Sequence, residues 1–322
     1  MDIRQLRYFI AIVEQGSFSR AAALLKIAQP ALSLHVRNIE QDLGTSLLFR
    51  SPKGVVPTEA GEILLRNARI ILDQLAVTEE EIRGHQGDPS GVVRLGLPGT
   101  ISEILSVKLI LAARNRYPLI QLRIAEAMSG FVLDWLREGR IDLGVIYRKV
   151  AEDGISTVEL LAEELVCFGP QHGQVGNGVL PEPGEQTELD QVAALPLILP
   201  GKAHGLRALL DQRAKAVDLE LNVAIEVDSY LNIKELVGAG LGYSVLPLNA
   251  ISREVAAGDL IHWMIGAPPL RRSVHLASSA DRPMTNAIAV IRDLVQDVLR
   301  DLTHTGHWVG ATELVAGRDK AD

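Results

Sequence analysis

A single cysteine, Cys167, stands in a chain of 322 residues. That excludes an intrachain disulfide framework and a zinc site built on several thiolates. Its surroundings, Leu165-Val166-Cys167-Phe168, read as a buried strand, so an inert core thiol is expected rather than an exposed redox sensor. Aromatic residues make up 4% of the chain against 47% hydrophobic residues in all, so the cores must be mostly Ala, Leu, Val and Ile. No apolar run reaches the ~18 residues of a membrane span. Met1-Asp2-Ile3-Arg4 enters a helical pattern at once, without a signal-peptide pattern, and the cytoplasm is the expected location. No Gly-x-Ser-x-Gly elbow, phosphate loop or His-Glu-x-x-His helix occurs, so the expectation is a non-enzyme without metal or cofactor. Only His304-x-x-His307 has metal-ligand spacing, and in its glycine-rich setting it reads as chance.

Positive charge is short as well, with a net charge of −8. The shortage is uneven. The first sixty residues hold seven Lys or Arg against five Asp or Glu, a weakly basic head on an acidic body. Such a split suits a nucleic-acid-binding module joined to something else.

The head supplies the elements for that module. Leu6, Phe9, Ile10 and Val13 follow helical spacing up to Gly16. Ser17 then caps a second helix in which Ala21-Ala22-Ala23 lets another helix approach closely. Pro30 opens a third helix, where its missing N–H costs nothing, and Leu32, Val36, Ile39 and Leu43 form its buried stripe. The opposite face carries Pro30, Ser33, Leu34, Arg37 and Asn38. Short polar groups and a bare Leu suit base edges and thymine methyls in a major groove, although an ordinary surface helix is the alternative. Leu47–Arg50 and Val55–Pro57 then flank Ser51-Pro52-Lys53-Gly54, a hairpin with cations at base and tip, as in a wing set against phosphate.

Taken in order, Leu6-x-x-Phe9, Ser17-Phe18-x-x-Ala21-Ala22-x-x-Leu25 and Gln29-Pro30-Ala31-Leu32-Ser33 resemble the signature of LysR-type transcriptional regulators. Ile39-Glu40-x-x-Leu43-Gly44-x-x-Leu47-Leu48-Phe49-Arg50 and Pro57-Thr58-x-Ala60-Gly61 continue it at the right spacing. The resemblance implies that Gln29, Pro30, Ser33 and their neighbours Leu34 and Arg37 read double-stranded DNA, while Arg50 and Lys53 grip its backbone. His35 departs from the Gln common in the family and is given a supporting contact. Near the far end, Gly306-His307-Trp308-x-Gly310-Ala311 looks most like regulators of nitrogen assimilation.

Thr58 caps a long helix on which Leu64, Ala68, Ile71, Leu75, Thr78 and Ile82 alternate spacings of four and three. That seam points to a partner helix, with packing on its own domain as the alternative, and the resemblance implies dimerisation here. From Val92 onward short apolar runs alternate with helical patterns, a doubly wound α/β arrangement. It is expected to form two Rossmann-like lobes, similar to type II periplasmic-binding-protein folds, with crossovers near 162–165 and 266–270. The expected organisation is a winged helix-turn-helix over 1–58, a linker helix over 59–87, a first lobe from 92–163 and 268–300, a second lobe from 164–267, and a tail over 301–322.

Ligands in such sheets sit beyond strand ends, where helix starts offer free N–H groups. Thr100, Ser102, Ser129, Gly130, Gly201, His204 and Ser229 occupy such places, with Arg148 as a counter-charge. They are candidates for binding a small anionic effector, and the alternative is that the hydroxyls merely cap helices. The composite expectation is a DNA-binding regulator working as a homo-oligomer, a dimer of dimers, that meets RNA polymerase at promoters. A solute-binding protein and an α/β enzyme are the rival readings; the first leaves the head without a reason and the second lacks catalytic residues.

Overall fold

Helix starts and stops in the N-terminal part follow from single residues. Asp2 and Gln5 form a capping box for α1 (Ile3–Gln15), and Gly16 ends it in the left-handed conformation. Ser17 caps α2 (Phe18–Leu25), and Pro30 sits in the first turn of α3 (Gln29–Leu43). Strands β1 (Leu48–Ser51) and β2 (Gly54–Pro57) pair antiparallel as a hairpin, and α4 (Glu59–Arg83) follows. Phe9, Ile12, Ala21, Leu32 and Ile39 are fully buried in one core. A Cβ on Gly61 would stand 2.0 Å from the Leu47 carbonyl oxygen, so only glycine lets α4 begin against that strand. The computed structural model describes residues 1–52, 54–83, 88–150, 154–171, 180–202 and 204–313. They divide into two compact units, the first made of residues 1–88 with 281–286.

Two members of the expected dimer seam are spent inside this first unit. Leu64 and Ala68 join Leu65 in the core of the head, because the first three turns of α4 pack against α1. Arg69, itself 6% exposed, reaches Glu14 on α1 at 3.2 Å. Ile71, Leu75, Thr78 and Ile82 remain outside that core, and Ile82 is 80% exposed.

In the second unit, β3 (Gly91–Leu97), α5 (Gly99–Arg116), β4 (Ile120–Glu126), α6 (Ser129–Arg137) and β5 (Leu143–Ile146) begin a parallel sheet. The next strand, β6 (Ile155–Pro170), is 16 residues long and serves two lobes. The other lobe follows as β7 (Gln186–Thr187), α7 (Leu189–Ala194), β8 (Leu197–Leu199), α8 (Gly205–Lys215), β9 (Val223–Glu226), α9 (Tyr230–Gly238), β10 (Ser244–Pro247), α10 (Leu248–Ala257) and β11 (Leu260–Ile265). The chain returns through β12 (Arg271–Ser279), α11 (Asn286–His304) and β13 (Ala311–Glu313). β12 pairs with β6 from Ile155 to Glu164, whereas β10 and β11 pair with it from Leu165 to Pro170. Each lobe has its own core, one around Leu95, Leu105 and Ile291, the other around Phe168, Ile198 and Ile233. This is the mixed α/β arrangement expected.

The end of the chain departs from expectation. Residues 301–304 belong to α11, Trp308 is 2% exposed in the first lobe's core, and β13 pairs with β6 at Leu161–Glu163. Burying an indole drives this, so no free tail begins at 301.

Candidate functional site

The outer face of α3 carries Gln29, Pro30, Leu34, Arg37 and Asn38 exposed, with Ser33 half-buried beside them. Leu34 is 54% exposed, an apolar side chain set in water among short polar groups. The α3 start is capped by no side chain; Pro30 brings no N–H, and the Ala31 N–H turns back to the Ala28 carbonyl at 3.1 Å. His35 packs edge-on against Tyr8 of α1, with ring centres 5.0 Å apart, and so braces α3 from behind. Arg50, its side chain 41% exposed, is also engaged within the head. It pairs with Glu40 at 3.3 Å and lies 4.8 Å above the Phe18 ring, tying the hairpin to α2 and α3. The same Glu40 accepts the Leu47 N–H at 2.9 Å, so Arg50 reads first as a brace. Lys53 lies outside the described residues.

The expected effector residues do not line one cavity. A cavity of about 630 Å³ collects Thr100, Ser102, His204 and Ser229 with Glu126 and Asp228. A second, of about 430 Å³, collects Gly130 and Arg148 with Tyr147, Arg137, Gly205 and Arg272. Gly201 lines neither, and its N–H donates to the Asp228 carboxylate at 3.0 Å. Ser229 caps α9 by accepting the Asn232 N–H, which keeps its O–H as a donor at the edge of the larger cavity. Ser129 opens α6, but its side chain is outside the described set. Val132 presses α6 onto the sheet, 2.8 Å from where a Cβ on Gly144 would stand, and this places the helix start at the second cavity.

Between the cavities lies a buried polar cluster that sequence reasoning missed. Arg272 donates from Nε to Glu163 at 2.5 Å and from Nη2 to the Thr100 hydroxyl at 3.2 Å. Its guanidinium stacks 3.6 Å from the Tyr147 ring centre, and the Tyr147 and Thr100 hydroxyls are 2.7 Å apart. Thr100 is thereby held by two side chains and does not cap α5. A signal existed: Arg272 precedes Val274 by two residues, so strand alternation turns both toward the core.

His204 caps α8 by accepting the Leu206 N–H on Nδ1 at 3.2 Å. The ring is therefore the neutral Nε2–H tautomer, and Nε2 donates to the Tyr230 hydroxyl at 2.7 Å. Burial, with Arg272 nearby, pushes the His204 pKa down to about 4. The unfolded chain, with an ordinary imidazole, binds its proton first as pH falls. Stability should thus be level above about 6.5 and decline toward pH 4, by up to a few kcal/mol. Burial also lowers His262 and His275, so His204→Asn should flatten the decline without removing it. Melting temperatures across this pH range check this; an unchanged slope in His204→Asn would refute it.

Comparison with known proteins agrees with this division. Residues 3–62 match the family model described as bacterial regulatory helix-turn-helix protein, lysR family, and residues 86–300 match the LysR substrate binding domain. The chain is similar to the nitrogen assimilation regulatory protein nac of Escherichia coli, 31% identical over 93% of this chain and 95% of that protein. The Klebsiella aerogenes nac is 30% identical over 92% and 94%. Among solved structures, a full-length OxyR cysteine variant from Pseudomonas aeruginosa has a TM-score of 0.76 at 24% identity, covering 93% of this chain and 95% of that one. Full-length CbnR complexed with its target DNA has a TM-score of 0.52 at 23% identity, covering 93% and 100%. No described helix is long and apolar enough to cross a membrane.

Proposed function

The chain belongs to the LysR family of bacterial transcriptional regulators, and from that premise we propose how its particular residues divide the work. Gln29, Pro30, Ser33, Leu34 and Arg37 on α3 enter the major groove, and the β1–β2 hairpin meets the backbone beside it. The observation that carries this reading is the α3 outer face, where an exposed Leu34 stands among short polar groups and one Arg. The exposed apolar positions of α4, Ile71 and Ile82 with Leu75 between them, take the partner helix of a dimer. Val107, Ile110 and Leu111 on α5 are exposed as well, and a second contact there would join dimers into a tetramer. The second unit takes a small anionic effector between its lobes and transmits the change to promoter DNA and RNA polymerase, without catalysis, in the cytoplasm.

The test compares operator with random DNA. Ser33→Ala and Gln29→Ala should each weaken operator binding by about 1–3 kcal/mol and leave random-DNA binding nearly intact. Equal losses on both DNAs in gel-shift titrations would overturn the assignment of α3.

A further inference from the structure

The β1–β2 hairpin is clamped at both ends while adding little to the core of the head. Leu48 and Val55 turn inward, whereas Phe49 and Val56, opposite each other in register, are 63% and 59% exposed. A two-stranded hairpin is marginal by itself in water, so its direction depends on what it is mounted on. At its base the Leu47 carbonyl accepts the Thr58 N–H at 2.9 Å, which ties it to the start of α4. Glu40 of α3 takes the Leu47 N–H and Arg50, which ties it to α3.

The second mount is of another kind. The Val55 N–H donates to the Gly16 carbonyl at 2.9 Å, so β2 meets the turn between α1 and α2 backbone to backbone. A Cβ on Gly54 would stand 2.7 Å from that same oxygen, inside the contact distance of carbon and oxygen. Gly54 also has a φ of 135°, a conformation that residues with a side chain avoid. Space and backbone thus demand glycine here independently. The turn that receives the contact is itself stiffened. Gly16 ends α1 in the left-handed conformation, Ser17 caps α2, and Arg20 of α2 donates from Nη2 back to the Gln15 carbonyl. The hairpin therefore bears on the residue that joins α1 to α2, and α2 leads directly into α3.

We propose that Gly54 is a positioning residue for DNA binding: its contact with Gly16 sets the height of the hairpin over the duplex while α3 lies in the groove. This rests on the reading that the hairpin meets the DNA backbone. Phosphate contacts fix a protein's register on the duplex, so a hairpin lifted from its mount misses its contact with the fold still intact. A methyl at position 54 must push β2 off the Gly16 carbonyl. The base mount at Leu47 and Glu40, and the core around Phe9 and Leu32, stay in place.

The experiment compares Gly54→Ala, Val55→Ala and Lys53→Gln in the full-length protein, by gel-shift titration on random-sequence duplex DNA over a range of salt. Lys53→Gln removes the cation of the hairpin's turn sequence. It should weaken binding about tenfold and lower the slope of affinity against salt by about one. Gly54→Ala should do nearly the same although it removes no charge, and adding it to Lys53→Gln should cost little more. Val55→Ala trims a core side chain but keeps the backbone contact, so it should lower the melting temperature and leave the salt slope alone. If Lys53→Gln lowers the slope and Gly54→Ala does not, the hairpin meets the backbone but this contact does not aim it, and the proposal is overturned. The proposal also falls if Val55→Ala lowers the slope equally, if the losses at 53 and 54 multiply, or if Gly54→Ala unfolds the head by circular dichroism. The contact would then act through stability alone. An unchanged slope in Lys53→Gln would take down the reading of the hairpin itself.

Discussion

Removing the Glu163 carboxylate should cost the second unit about 3–5 kcal/mol. Glu163 and Arg272 both have side chains 2% exposed and are joined at 2.5 Å. Burial alone would favour a neutral Arg272; the neighbouring carboxylate outweighs it and holds the guanidinium charged. Glu163→Ala leaves that charge in the interior with neutral neighbours alone, the Thr100 hydroxyl as acceptor, Tyr230 close by and the Tyr147 ring beneath it. Glu163→Gln, which keeps the volume and one acceptor, should cost less than the alanine. Replacing both partners with apolar residues, as in Glu163→Leu with Arg272→Met, removes the desolvation burden together with the attraction and should restore most of the loss. The measurement is selective, because Trp135, Trp263 and Trp308, the protein's only tryptophans, all lie in the second unit. Urea unfolding followed by tryptophan fluorescence therefore reports this unit. A loss under 1 kcal/mol for Glu163→Ala would mean that water or a rearranged neighbour satisfies the guanidinium, and the pair would not brace the lobes.

The contrast between the two units explains what was legible in the sequence. In the head, each boundary is written by a residue with one local meaning: Ser17 as a cap, Pro30 in a first turn, Gly44 as a left-handed stop. The exposed face of α3 follows from 100° steps alone. The strand β5 was equally plain, because a parallel strand buried on both faces is a short apolar run. The buried polar cluster was not legible in this way. Its groups, Arg272, Glu163, Tyr147 and Tyr230, come from four segments up to 125 residues apart. Each has an innocent local reading, Arg272 as one of two cations at a strand start. Nor could spacing say which helix-start hydroxyls already have partners. Thr100 is taken by a side chain 172 positions away, and Ser229 accepts an N–H of its own helix. The helical pattern of α4 carried a different ambiguity, since one stripe serves an intramolecular core and then changes partner without changing period.

That ambiguity yields the second large effect. Ala68 and Ile71 are three residues apart on one helical stripe, yet Ala68 is fully buried in the head while Ile71 is 41% exposed. A carboxylate should therefore do different damage at the two positions. Ala68→Asp places a charge at a position 0% exposed, in the core that holds Phe9, Ile12 and Leu65. Its desolvation of several kcal/mol should unfold the head outright and abolish binding to every DNA. Ile71→Asp leaves that core untouched, because in the single chain the side chain already meets solvent. It should keep the helical content and melting of the head while preventing the α4 pairing proposed above. Loss of that pairing lowers the mass in solution and removes the cooperativity that two joined heads bring to a two-part operator, a large loss without any loss of contact to a single half-site. Circular dichroism, sedimentation and operator titration on the two variants separate these outcomes. Should Ile71→Asp sediment like the wild type and bind the operator as cooperatively, α4 is not the dimer seam, and the exposed apolar face of α5 becomes the place to look.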